Sequence, residues 1–157
     1  MALKSFYESS SGGDGWHLKS GWLMGGTFCS WQGITCESGD VTEINLGGNG
    51  LQGIIHPSVF TGLKHLKTFN VQENRLLGGP IPRQIGKATN LCLLEAYDCA
   101  LNGTLPDVFD SLGHFNTDDC PLQPKLDLHY NNLEGTLPSS IGGMGKLPYI
   151  SVANNNF

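Results

Sequence analysis

Leu66-Lys67-Thr68-Phe69-Asn70-Val71-Gln72-Glu73-Asn74-Arg75-Leu76 decides the fold. Apolar residues stand at its first, fourth, sixth and last positions, with Asn74 at the ninth. The alternation through Phe69 and Val71 is that of a short strand with one buried face, because successive strand side chains point to opposite sides. The same spacing returns along the chain. Val41, Ile44, Leu46, Asn49 and Leu51 precede it, and Leu91, Leu94, Ala96, Cys99 and Leu101 follow it. Leu126, Leu128, Asn131 and Leu133 make a fourth copy, with Gln123 where an apolar residue is expected. Leu147, Ile150, Val152, Asn155 and Phe157 make a fifth. Asn49, Asn74 and Cys99 are 25 residues apart, Asn131 follows after 32 and Asn155 after 24. A fixed period of this length means coils that bury their apolar faces by stacking. An Asn amide where the chain leaves the strand can pair with backbone groups of neighbouring coils that would otherwise be buried orphans. Cys99 is small enough to fill the same slot.

A second signature trails the copies. Gly78-Gly79-Pro80-Ile81-Pro82, Gly103-Thr104-Leu105-Pro106 and Gly135-Thr136-Leu137-Pro138 recur, and Gly53-Ile54-Ile55-His56-Pro57 is a looser version with one residue inserted. Glycine turns the chain, the apolar residue plugs the core and proline stops regular hydrogen bonding. With 22 glycines in 157 residues, roughly twice the ~7% average, the backbone turns often. Together the two signatures resemble the plant-type leucine-rich repeat, from Val41 to Phe157. The resemblance implies an α/β solenoid, a right-handed coil with a parallel concave β-sheet. It assigns about five repeats to residues 41–157, with an insert at about 113–122. No C-terminal cap is recognisable, so that end is expected to present an apolar edge.

Residues 1–40 break the period. Ala2, Leu3, Phe6 and Tyr7 form a helical apolar face, and Trp16, Gly21-Trp22 and Cys29-Ser30-Trp31-Gln32-Gly33-Ile34-Thr35-Cys36 follow. This is similar to the N-terminal cap of receptor-like ectodomains, polygalacturonase inhibitors and related algal and protist repeat proteins. The resemblance implies a helical cap stapled by a Cys29–Cys36 disulfide. It follows that the compartment is oxidising: extracellular, cell surface or an organelle lumen. No signal sequence is visible in this chain. Five cysteines leave at least one unpaired within the chain. Cys120 can reach back to Cys92, one turn earlier, with Cys99 then a free thiol; the sequence leaves this pairing open.

The net charge of −5 argues against nucleic acid and against a polybasic membrane contact. No apolar run approaches the ~18 residues of a membrane-spanning helix. Gly47-Gly48-Asn49-Gly50 and Gly142-Gly143-Met144-Gly145 lack the spacing and the lysine of a phosphate loop. His114, Asp118, Asp119 and Cys120, taken with His129, match no zinc spacing, so neither metal nor cofactor is expected. Asn102-Gly103-Thr104 has the form of an N-glycosylation sequon. The residues expected to line the concave face are Gln72, Glu73, Glu95, Tyr97, Asp98, Asp127, His129, Tyr130 and Tyr149. Glu73, Glu95, Asp98 and Asp127 form an acidic cluster that would steer a basic partner. The tyrosines and His129 supply the contact area typical of interface hot spots. An open ladder offers no cleft to shelter glycosidase chemistry. The expectation is a non-catalytic recognition or scaffold module binding a protein, peptide or glycan. The alternative is a permanently bound structural subunit of a larger assembly, held through the inserted loop and the C-terminal edge.

Overall fold

The computed structural model describes residues 2–112, 120, 123–144 and 147–157. Of the expected insert only Cys120 falls among them; residues 113–119 and 121–122, with His114, Asp118 and Asp119, lie outside the described residues. The strands are β1 (Ile34–Glu37), β2 (Asp40–Asn45), β3 (Gln52–Ile54), β4 (Thr68–Asn70), β5 (Leu76–Gly79), β6 (Leu93–Glu95), β7 (Ala100–Thr104), β8 (Lys125–Asp127), β9 (Asn132–Glu134) and β10 (Tyr149–Ser151). One sheet has the order β1-β2-β4-β6-β8-β10. Its strands β2 to β10 run parallel, with Ile44, Phe69, Leu94, Leu126 and Ile150 in register. Short 3₁₀ turns at Arg83–Lys87, Phe109–Ser111 and Ser139–Met144 return the chain on the other side. The core between is apolar: Ile44, Leu66, Phe69, Val71, Leu91, Leu94, Leu126 and Leu128 are all buried.

The asparagine slot acts as a rung between coils. Asn74 Oδ1 accepts the N–H groups of Asn49 (3.0 Å) and Leu51 (2.9 Å), and its Nδ2 donates to the carbonyls of Leu46 (2.9 Å) and Val71 (2.8 Å). Asn131 does the same between Leu101 N–H and the carbonyls of Ala96 and Leu128. Cys99 is the weak rung: its thiol donates to the carbonyls of Val71 and Tyr97, and its sulfur meets the Asn74 backbone. Burial pushes that thiol up to about 11, because a desolvated thiolate has no compensating charge.

Two features differ from the sequence reading. The glycine–proline segments do more than turn: β3, β5, β7 and β9 pair in parallel as a second, four-stranded sheet. Leu76 was expected to close the second copy in the core, but it is 65% exposed while Leu77 is fully buried. That copy carries one extra residue before its proline, and in a strand a one-residue slip reverses which side chain faces inward.

Residues 2–40 cover the first coil. Helix α1 (Ala2–Ser9) buries Leu3 and Phe6, and Phe6 meets Phe69 edge-on at 5.8 Å. It lies against the short helix α2 (Ser58–Gly62) and β3. Gly53, at φ +94°, lets β3 pass close to the Ser9 carbonyl. Tyr7, Trp16, Trp22 and Trp31 pack in series, with ring centroids 4.8–5.5 Å apart. Trp16 and Trp22 donate their indole N–H groups to the Ser10 and Gln32 carbonyls. β1 pairs antiparallel with β2 and closes that edge of the sheet. Cys29 is bonded to Cys36, and Cys92 to Cys120. Among the described residues, no helix is long and apolar enough to cross a membrane.

Candidate functional site

The parallel register stacks the concave side chains in rows. Lys125 stands between Leu93 and Tyr149, and Asp127 between Glu95 and Ser151. Two like charges directly opposite one another destabilise a sheet, and here a lysine relieves them. Lys125 Nζ donates to Glu95 Oε1 at 2.8 Å and lies 3.1 Å from Asp127 Oδ2. Partial burial works against the Lys125 charge, but the hydrogen bonds to Glu95 and Asp127 outweigh it and hold its pKa above the ordinary lysine value. Asp127, expected as an outward-facing carboxylate, is only 1% exposed, because Lys125 and the ring of His129 lie against its two oxygens. The acidic cluster is therefore split. Glu95 and Asp127 share the one charge of Lys125, with Tyr149 flanking Lys125 at 4.9 Å from its ring centroid.

The remaining residues meet one row further on, where the strands turn. The rings of Tyr97 and His129 stack at 4.6 Å with 15° between planes, and Tyr130 tilts against His129 at 5.2 Å. The Tyr97 hydroxyl donates to Glu73 Oε1 at 3.2 Å. Burial, then that hydrogen bond, raises the Tyr97 pKa, so the ring stays a neutral phenol. Arg75 Nε and Nη2 donate to Asp98 Oδ2 at 3.1 and 2.9 Å. Glu73, Arg75, Tyr97, Asp98, His129 and Tyr130 together line an open cavity of about 370 Å³. Gln72 stands apart, over Gly47 on the neighbouring coil. Asn102 and Thr104 are exposed on β7, in the second sheet.

One backbone position recurs from coil to coil, and three of its occurrences line this cavity. Gly48 (φ +60°), Glu73 (+57°), Asp98 (+49°), Tyr130 (+52°) and Asn154 (+55°) each precede the rung residue and adopt the left-handed conformation. Glycine, Asn and Asp accept it readily; Glu and Tyr do so at a cost of about 1 kcal/mol. Sequence reasoning missed Arg75 and the role of Lys125. The register between 95 and 127 held the signal for Lys125, since it lies two residues before Asp127, on the same face as the acidic pair. Among the described residues, no group of three or more His, Cys, Asp or Glu is placed to hold a metal ion.

The Leucine Rich Repeat family model matches residues 125–144. The serine/threonine-protein kinase BRI1-like 2 of Arabidopsis thaliana is 37% identical over 95 residues, a match spanning 60% of this chain and 8% of that protein. Thus the chain spans under a tenth of the curated relatives it first matches. Among solved structures, PEPR1-AtPEP1 superposes with a TM-score of 0.83 at 27% identity, covering 99% of this chain and 21% of that one. The leucine-rich-repeat ectodomain of the receptor kinase SOBIR1 from Arabidopsis thaliana superposes with a TM-score of 0.75 at 25% identity, covering 98% and 77%. The chain carries a leucine-rich-repeat fold similar to that of plant receptor ectodomains.

Proposed function

We propose that this chain is a non-catalytic recognition module that binds a peptide, protein or glycan partner through its concave face, in an extracellular, cell-surface or lumenal setting. Residues 1–40 would serve as its cap and 41–157 as its repeats. The observation that carries the reading is the aromatic cavity rimmed by Glu73 and Tyr130, two residues held in a conformation that glycine or Asn would take more cheaply. Strain kept at a surface cavity points to function. The tyrosines add large amphipathic contact area. Likeness to a receptor ectodomain and to the two-component structure PEPR1-AtPEP1 supports a binding role. Two disulfides, Cys29–Cys36 and Cys92–Cys120, support an oxidising compartment.

The test is to pan a displayed random-peptide library against the purified, disulfide-bonded protein, and then to rescreen the recovered binders on the double variant Tyr97→Ala/Tyr130→Ala. Binders of the native chain should be lost on the variant. Binders that persist on it would move the working surface elsewhere.

A further inference from the structure

We propose that the cavity bounded by Tyr97, Asp98 and Tyr130 takes a basic side chain of an extended peptide, an arginine above all, and that Arg75 holds its place on Asp98 until the peptide arrives. The inference rests on the recognition reading of this face and names the chemistry of its partner. Charge selects the ligand. With Glu95 and Asp127 committed to Lys125, Glu73 and Asp98 are the carboxylates left at the cavity. An anionic ligand would meet both of them, and a neutral apolar one would strip water from them without replacing it. The aromatic wall points the same way: with Tyr97 already stacked on His129, a cation is drawn to the face of Tyr130, which is 57% exposed. A guanidinium suits the site better than an ammonium, because its planar fork pairs with a carboxylate while its face stacks on an aromatic ring.

The chain itself supplies the stand-in. Arg75 donates two hydrogen bonds to Asp98 Oδ2, yet its side chain is 79% exposed. An ion pair that open holds weakly and exchanges readily. A peptide arginine reaching Asp98 from solvent would replace it and gain the exposed Tyr130 ring as well. Glu73, engaged only by the Tyr97 hydroxyl among the hydrogen bonds of this cavity, then faces the incoming charge from the neighbouring coil.

The probe is the blocked tripeptide acetyl-Gly-Arg-Gly-amide, titrated into ¹⁵N-labelled native protein, beside its citrulline counterpart, which keeps the shape and loses the charge. Saturable shifts of the Tyr97, Asp98 and Tyr130 amides are expected with arginine, with binding ~10-fold weaker for citrulline. Asp98→Asn should weaken the arginine peptide by a similar factor, and Arg75→Ala should tighten it. Equal shifts with citrulline, no saturable shift, indifference to Asp98→Asn, or weakening by Arg75→Ala would each overturn the proposal. The spectra report whether each variant is folded. A panned peptide that needs Tyr97 and Tyr130 but carries no basic residue would sink this inference and leave recognition standing. Peptides indifferent to both tyrosines would sink the two together.

Discussion

Replacing Asn74 with alanine removes a side chain that makes five hydrogen bonds, three of them to the preceding coil. The amide is 1% exposed. Its loss strands the N–H groups of Asn49 and Leu51 and the carbonyl of Leu46, whereas the Val71 carbonyl keeps the Cys99 thiol as a donor. Each net bond is worth about 1 kcal/mol, and buried groups left without water cost more, so Asn74→Ala should destabilise by about 3–5 kcal/mol. For a domain of this size that lowers the melting temperature by roughly 10–15 °C. Asn155 is the internal control. It accepts one N–H, from Leu133, and donates to Leu128 and Val152 from a half-buried position, so Asn155→Ala should cost about half as much. Thermal and urea unfolding followed by circular dichroism measure both. A loss below about 1 kcal/mol at Asn74, or equal losses at the two sites, would refute the rung argument.

Other consequences are as direct. The Cys99 thiol, buried and raised to about 11, should alkylate roughly 100-fold more slowly at pH 8 in the native protein than in urea. Because its folded pKa lies above the unfolded value of ~8.5, its contribution to stability is complete below that value. It is lost as pH rises through the folded one, and Cys99→Ala should remove that part of the alkaline fall in Tm. Tyr130→Asn should raise stability by up to about 1 kcal/mol by relieving the left-handed strain, as read by urea unfolding, even while binding suffers. Lys125→Met leaves Glu95 facing a buried Asp127 and should cost about 1–3 kcal/mol. Urea unfolding of the native protein and the variant at pH 7 measures that deficit.

Where the physics is local and periodic, it was legible in the sequence. The inward residues Phe69, Leu94 and Leu126 and the rung asparagines follow from spacing alone, because a coil that must bury one face has one way to place them. What escaped depends on register between coils. Leu76 and Leu77 differ only by a one-residue slip, which no alternation within a single copy reveals. The second sheet is likewise a matter of pairing between segments too short to announce themselves. At the site, the residue types were readable but their charge balance was not. Glu95 and Asp127 counted as open carboxylates until the register set Lys125 beside them. Arg75 sits 23 residues before Asp98, a diagonal offset that the 25-residue period does not pair.

The central claim is that the concave aromatic cavity is the surface through which this chain recognises a partner. Its most direct test is calorimetric affinity for one peptide recovered by panning, compared across the native protein, Tyr97→Ala/Tyr130→Ala, and Arg83→Glu on the opposite side of the coil. Affinity should fall at least ~10-fold for the double variant, or about 1.4 kcal/mol, and stay unchanged for Arg83→Glu. Affinity that falls only with Arg83→Glu, or that survives loss of both tyrosines, would contradict it.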